Sequence, residues 1–81
     1  MFTVYILQSQ ITFRYYVGHT SNIGNRLIRH NLGREKFTKK ERPWIVIYQE
    51  IYNTKAGAMK REKQIKSYKG GNAFKILVHP A

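Results

Sequence analysis

The segment at residues 44–52 constrains the fold more than any other, because its apolar side chains alternate onto both faces of an extended chain. One face would carry Trp44, Val46, Tyr48 and Tyr52, and the other Ile45, Ile47 and Ile51. We therefore predict a β-strand here that is central in its sheet and covered on both sides.

Two further segments favour extended structure. Residues 2–7 and 15–18 are rich in β-branched and aromatic side chains, and a polar, irregular stretch separates them. We interpret them as the two strands of an antiparallel hairpin.

Helix signals follow the hairpin and the third strand. Ser21 or Asn22 can cap a short helix that stops at Gly33, and Thr54 can cap a second one at 55–69. A last helical or extended piece at 73–78 follows a Gly-Gly pair. The order β-β-α-β-α with a C-terminal helix or tail predicts an α/β protein of the α+β type. No repeat or linker divides the sequence, so we expect a single domain over residues 1–81.

The charge of the chain points to a polyanionic partner. Fifteen Lys and Arg residues stand against four acidic ones, which gives a formal net charge of +11. Such an excess in a folded domain is typical of a surface that neutralises phosphates. No segment is apolar enough to span a bilayer and no export signal is recognised, so we expect a soluble, cytoplasmic protein that binds nucleic acid and no membrane.

The sequence contains no cysteine. This excludes a disulfide framework, a thiolate zinc site and a cysteine nucleophile. Stability must therefore come from packing.

Glu62 is the acidic residue in the least expected position. On a helical wheel of about 100° per residue, it falls on the same side as Ala58 and Ile65. A carboxylate there is costly to bury unless it is paired, hydrogen-bonded or bound to a cation. Two interpretations stay open at this point: an ion pair with one of the many Lys and Arg residues, or a metal ligand.

The other acidic residues restrict the metal chemistry. Glu35 and Glu41 lie in a predicted loop, Glu50 lies near a strand end, and the chain has no Asp. A two-metal nuclease site needs several carboxylates around cations about 3.5–4 Å apart, which this sequence can hardly supply. One ion, held by Glu62 and otherwise by water and phosphate oxygens, is compatible with the residues.

Four other side chains could gather near Glu62. Arg26 and His30 are four residues apart on the first helix and so are neighbours on its surface. Tyr5 and Tyr16 fall in the two hairpin strands, which could bring both phenols to the same patch. Each has a plain structural alternative: a satisfied core histidine, a solvated helix arginine, or aromatic side chains that are simply favoured in strands.

The motifs that carry these residues resemble those of the GIY-YIG endonuclease family. Thr-Val-Tyr at residues 3–5 is similar to the GIY element, Tyr-Val-Gly at 16–18 to the YIG element, and residues 25–30 to the arginine helix that follows. The two tyrosines are 11 positions apart and the arginine comes 10 positions later, which agrees with the family spacing. Residues 58–66 resemble the glutamate helix of small, single-domain members like the N-terminal domain of the excision-repair endonuclease.

This resemblance implies a three-stranded antiparallel sheet flanked by helices, and hydrolysis of phosphodiester bonds in DNA with one divalent ion, Mg²⁺ or Mn²⁺. DNA repair is the process that it suggests. Glu62 would hold the metal, and Arg26 would stabilise the charge that develops on the phosphate. Tyr5 or Tyr16 would activate or orient the attacking water, with His30 assisting.

Three positions depart from the family pattern. Thr3 replaces the glycine of the first element, and His19 stands where some members carry lysine. Asn72 is only a loose match to an asparagine that often follows the glutamate helix. The resemblance assigns no role to His19 or Asn72.

Residues 33–43 are polar and strongly basic, and we predict an exposed loop. Its cations, with one from the first helix, would hold backbone phosphates: Lys36, Lys39, Lys40, Arg42 and Arg29. Such contacts position nucleic acid without reading its sequence. We therefore expect structure-selective or loosely selective cutting, or a partner protein that supplies selectivity.

Three functions are compatible with the charge. They are a metal-dependent DNA endonuclease, a non-catalytic nucleic-acid-binding module of the same fold, and a small RNA-associated protein. The endonuclease is favoured, because a binding module has no reason to keep one carboxylate on an apolar helix face opposite an arginine.

Overall fold

A computed structural model of the chain describes residues 1–79. Strands and helices follow one another in the order β-β-α-β-α-α, which confirms the predicted α+β class and shows the segment at 73–78 to be helical. Their bounds are β1 Phe2–Ser9, β2 Tyr15–Thr20, α1 Ile23–Asn31, β3 Trp44–Tyr52, α2 Lys55–Ser67 and α3 Asn72–Val78, with a short 3-10 turn at Lys39–Glu41 before β3.

The three strands form one antiparallel sheet in the order β2-β1-β3. The hairpin and the three-stranded sheet are therefore confirmed, but the prediction that residues 44–52 form the central strand is wrong. β1 is central, and β3 lies at an edge. Apolar residues on both faces of β3 show that the sheet is covered above and below; they carry no information on how many strands flank it.

β3 also departs from the strict alternation that its sequence suggests. Its register against β1 shifts near the middle of the strand, and a shift of one residue turns the following side chains to the opposite face. Trp44 and Val46 consequently pack in one core cluster, while Tyr48 and Tyr52 pack in the other.

β1 separates these two clusters. Val4 and Ile6 pack with residues of α2 and α3, whereas Tyr5 and Leu7 pack with residues of α1. All four are at most 1% exposed, and burying a side chain of this size contributes about 1.5–3 kcal/mol. The central strand is thus the most buried element, and it places Tyr5 on the α1 face.

Both longer helices begin at the predicted caps. The side chain of Asn22 accepts a hydrogen bond from Asn25 N at 3.0 Å, and that of Thr54 accepts one from Gly57 N at 3.1 Å. None of the helices within residues 1–79 has the length and apolar character that crossing a membrane requires.

Candidate active site

Tyr5 of β1 and Tyr16 of β2 lie side by side on the α1 face, with their ring centroids 6.5 Å apart. Tyr5 is only 1% exposed, whereas Tyr16 is half-buried. Gly18 pairs with Tyr5 across the strands, and a Cβ added to it would lie 2.6 Å from the Tyr5 hydroxyl. The glycine of the YIG-like element therefore makes room for the phenol.

His30 of α1 is completely buried against both tyrosines. The Thr38 hydroxyl lies 2.7 Å from His30 Nδ1, within hydrogen-bonding distance. The Tyr5 hydroxyl lies 3.3 Å from His30 Nε2 on the other side of the ring. His30 is therefore buried with a hydrogen-bond partner at each ring nitrogen, which is the arrangement that its structural alternative describes, and it contacts both tyrosines.

The protonation states of Tyr5 and His30 follow from their burial. Burial above all, and then the neighbouring Tyr16, raises the pKa of Tyr5 well above its ordinary value. Burial also lowers the pKa of His30, with Arg26 and Arg29 acting in the same direction and Glu35 against them. At neutral pH, a protonated phenol at Tyr5 therefore lies against a neutral imidazole at His30.

Arg26 lies at the rim of this tyrosine patch and is only loosely held. Its Nη1 is 3.8 Å from Glu35 Oε1, and its side chain is 37% exposed. Glu35 bonds mainly to Arg29, whose Nε donates at 2.9 Å, and this bond holds the pKa of Glu35 below its usual range. Arg26 also lines a small pocket together with His19. Its guanidinium is therefore partly exposed and paired only with Glu35 at this longer distance.

Glu62 lies on the packed face of α2, as the helical wheel predicted, beside the fully buried Ala58 and Ile65. Its side chain is 18% exposed, and both carboxylate oxygens are engaged. His19 Nδ1 donates to Oε1 at 2.5 Å, and Lys66 Nζ donates to Oε2 at 2.7 Å. Glu62 thus has the ion-pair partner that the first of its two interpretations requires, and a histidine in addition.

The charge state of Glu62 reflects two opposing effects. Burial by itself would raise the pKa of this carboxyl, but the hydrogen bonds from Lys66 and His19 outweigh burial and hold the pKa below its usual value. Glu62 is therefore a carboxylate at neutral pH, which is the form that binds metal ions.

The candidate site extends around one edge of the sheet. Successive side chains of a strand point to opposite faces, so Tyr16 lies on the α1 face of β2 and His19 on the α2 face. β2 is an edge strand, which leaves a route between the two faces. Charge on Glu62 also acts on the Tyr5 phenol, after the larger effects of burial, Tyr16, Arg26 and Glu35. Tyr5, Tyr16 and His30 are in contact on the α1 face, whereas Glu62 lies with His19 on the α2 face.

The basic side chains of the predicted loop are exposed, but the loop also contains one buried residue, which its polar composition did not indicate. Lys36, Lys39, Lys40 and Arg42 all lie at the surface. Arg29, on α1, is 53% exposed in its side chain but is bonded to Glu35. Thr38, in the middle of these cations, is 1% exposed and holds His30.

A sequence model of the GIY-YIG catalytic domain matches residues 1–74. The chain belongs to the GIY-YIG family. The match includes both tyrosines, the arginine helix and Glu62, and it places the chain in a family of nucleases.

Several relatives of this GIY-YIG chain carry the name UPF0213. One from Staphylococcus haemolyticus is 38% identical over 63 residues, which are 76% of this chain and 77% of that protein. One from Staphylococcus aureus is 44% identical over 63 residues, which again are 76% of this chain and 77% of that protein. The solution NMR structure of the UPF0213 protein BH0048 from Bacillus halodurans is similar with a TM-score of 0.58 at 25% identity, over 99% of this chain and 89% of that one.

The sequence left two partners of the GIY-YIG site unassigned. His19 and Lys66 bond to Glu62, and neither was among the predicted site residues. Lys66 had a signal, since it lies four residues after Glu62 on the same helix. His19 had a weaker one, because it shares a strand face with the buried Val17. Asn72, the loose match, begins α3 and is exposed.

Proposed function

We propose that this chain is a divalent-metal-dependent endonuclease that hydrolyses phosphodiester bonds in DNA, with structure-selective or loosely selective cutting. The observation that carries the proposal is the position of Glu62. It is a mostly buried carboxylate, kept ionised, and it bonds to His19 on the edge strand that also carries Tyr16. His19 in turn lines a small pocket with Arg26, whose ion pair with Glu35 is long at 3.8 Å. Packing alone does not require a charge there, because an apolar residue would fill the same face of α2.

The donor set fits one hard cation, Mg²⁺ or Mn²⁺, and not a metal cluster. Within residues 1–79, no group of three or more His, Cys, Asp and Glu side chains could hold a metal. Mg²⁺ keeps several waters and commonly binds through one carboxylate together with substrate phosphates. Glu62 would hold such an ion, which would polarise the scissile phosphate.

Lys66 and Arg26 are the cations that can respond to a bound phosphate. The Lys66 side chain is 52% exposed, so it can leave Glu62 Oε2 and turn to a phosphate oxygen. Arg26 is held only by a long contact of 3.8 Å with Glu35, and it can place its guanidinium on the phosphate as negative charge develops.

The two tyrosines have different roles in this proposal. Tyr16 is the more exposed of the pair and can orient the attacking water. Tyr5 is a positioning residue: its hydroxyl is hydrogen-bonded to His30, and these two buried rings hold Tyr16 in place. The raised pKa of Tyr5 disfavours a phenolate there.

Selectivity would come from the shape of the substrate. The exposed cations at residues 36–42 can hold backbone phosphates, and such contacts do not read bases. A partner protein could supply further selectivity. We place the activity in the cytoplasm, because disulfides are rare in cytosolic proteins and this sequence contains no cysteine.

A second candidate function is a non-catalytic nucleic-acid-binding module. The observation in its favour is that His19 and Lys66 already satisfy both oxygens of Glu62. In such a module, Glu62 would only stabilise the packing of α2 against β2.

One experiment separates the two functions. Wild type and Glu62→Ala are incubated with plasmid, flap and branched DNA in Mg²⁺, in Mn²⁺ and with chelator. We expect the wild type to cut at least one substrate only when a metal is present, and Glu62→Ala to be inactive while still binding DNA. Cutting by Glu62→Ala at the wild-type rate, or no cutting by wild type on any substrate, contradicts the endonuclease.

A further inference from the structure

A cleft of about 770 Å³ opens between the start of β2 and the end of α2. This lies within the range of about 300–1,000 Å³ that is typical of small-ligand sites. Four aromatic rings and two lysines dominate its walls: Phe13, Tyr15, Tyr16, Phe74, Lys66 and Lys69.

Phe13 presents its ring at the surface beside this cleft. It is 65% exposed and has a φ of +62°, a backbone conformation that is uncommon for a bulky residue. The turn is held by a bond from Phe13 N to Ser9 O at 3.1 Å and by one from Gln8 Nε2 to Phe13 O at 3.3 Å. The turn thus keeps a large apolar ring in water, where it contributes little to the core.

The inner wall of the cleft is more rigid. Tyr15 packs edge-on against Phe74, with ring centroids 5.1 Å apart, and its hydroxyl lies 3.4 Å from His79 Nε2. Tyr15 and Phe74 line the same cleft as the exposed Phe13. Aromatic walls of this kind are the usual stacking surface for a nucleic-acid base.

The charge of the cleft is entirely positive among its lining side chains. Arg14, Lys66 and Lys69 contribute cations, and none of the lining side chains is acidic. Arg14 is paired at 3.3 Å with Glu41 but remains 77% exposed, and Lys66 is paired with Glu62. An anionic ligand with an aromatic part therefore complements this surface better than an apolar peptide does.

The cleft is continuous with the candidate active site. Tyr16 belongs to the tyrosine patch and also lines the cleft. Lys66 bonds to Glu62 and also lines the cleft. A strand whose phosphate reaches Glu62 would thus pass its neighbouring nucleotide into the aromatic walls.

We propose that this cleft binds an unpaired nucleotide of the substrate strand, next to the phosphate that is cut. The base stacks on Phe13 against the Tyr15 wall, and Lys69 contacts the backbone. A base inside a duplex already has both faces stacked, so only an unpaired base can enter. This inference rests on the proposed function, and it specifies the substrate as DNA with a single-stranded segment at the cleavage point.

The test is a binding measurement with chelator present, so that no cleavage is required. Fluorescein-labelled oligothymidylate and a duplex of the same length are titrated with wild type, Phe13→Ala and Ile51→Ala. Ile51 is the matched control, because it is also an exposed apolar residue, 63% exposed, and lies on β3 outside both the cleft and the basic loop. We expect Phe13→Ala to weaken oligothymidylate binding about tenfold and to leave duplex binding unchanged, while Ile51→Ala affects neither. Equal loss on both ligands, or no loss on oligothymidylate, overturns the proposal.

A tryptophan probe gives a second, independent readout. In Phe13→Trp, oligothymidylate should quench the new tryptophan emission, and an oligomer with the same backbone but no bases should not. Ile51→Trp, the control position, should show no quenching with either. Quenching by the base-free oligomer, or none by oligothymidylate, contradicts stacking. Failure of the nuclease test leaves these binding results intact, so the two proposals can fail separately.

Discussion

Glu50 and Glu62 lie on neighbouring elements and are buried to the same extent, with 19% and 18% of their side chains exposed. Their partners differ. Arg61 donates to both oxygens of Glu50, from Nε at 2.9 Å and from Nη2 at 3.0 Å, and the hydroxyls of Tyr48 and Tyr52 donate as well. Glu62 has one histidine and one lysine, and the lysine is 52% exposed.

These partners distinguish a structural carboxylate from one that can exchange its ligands. Glu50 is saturated by a sheltered guanidinium and two phenols, and the Arg61 bond above all lowers its pKa to about 2. Bidentate arginine pairs are rigid and geometrically specific. Glu62 is held by partners that can leave, since the Lys66 ammonium is flexible and half in water. Although the two carboxylates are equally buried, their partners predict different roles. Glu50 should stabilise the fold, and Glu62 should be able to exchange Lys66 for another cation.

The largest expected contrast is in activity. Glu62→Gln should lower the rate of DNA cleavage about 1,000-fold, because it removes the negative charge that would hold the metal. Glu50→Gln, assayed below its melting temperature, should retain activity within about tenfold, because Glu50 is outside the site. The rates are measured on the best substrate of the wild type. Equal losses in both variants would abolish the distinction between the two carboxylates.

Stability should show the reverse contrast. Arg61→Ala should lower the free energy of unfolding by about 2–3 kcal/mol, because it leaves the Glu50 carboxylate mostly buried without its main partner. Lys66→Ala should cost less than about 1 kcal/mol, as is usual for a pair with an exposed member. Urea denaturation followed by circular dichroism measures both. A larger cost for Lys66→Ala would make Glu62 the structural residue.

Acid titration sharpens the contrast further. The pKa of Glu50 is 4.5 ordinarily and about 2 in the folded protein. Because the folded pKa is the lower one, this stabilisation is complete above pH 4.5 and is lost as the pH falls toward 2. The loss should be about 2 kcal/mol after allowance for the exposed part of the side chain.

The matched variant is Glu50→Gln, whose stability should change less than that of the wild type across this pH window. A smaller slope should remain, because the pKa values of Glu35 and Glu62 are also lowered. Parallel curves for wild type and Glu50→Gln would show that Glu50 carries none of the acid sensitivity.

The smallest expected effect is stabilisation by the metal itself. Free Mn²⁺ at about ten times its Kd should stabilise the fold by about 1.4 kcal/mol, seen as a rise in Tm. Glu50→Gln should keep this rise and Glu62→Gln should lose it. A rise that survives in Glu62→Gln would place the ion elsewhere.

The fold was largely predictable, because its elements carry local signals. The caps at Asn22 and Thr54 and the apolar periodicity of the strands gave the order and bounds of most elements. The central position of β1 was not predictable from the periodicity of β3. A side-chain pattern records which faces are covered, and strand neighbours are set by backbone pairing between distant segments.

The candidate site divides in the same way. The residue set came from the motifs, and the direction of Glu62 came from the helical wheel. Its contact with His19 joins residues 43 positions apart, and no local pattern reports such a contact. Thr38 was hidden for the same reason: its burial depends on His30 and on the docking of the loop.

Residue order and composition are enough to make Glu62 an anomaly, since it is a lone carboxylate on an apolar helix face in a strongly basic chain without Asp. The tertiary structure alone decided what surrounds it: His19 from an edge strand, Lys66 at the mouth of an aromatic cleft, and the tyrosines around the sheet edge. The physical reason is that one helix's own sequence fixes the direction of a side chain along it, whereas its partners come from segments that only packing brings together.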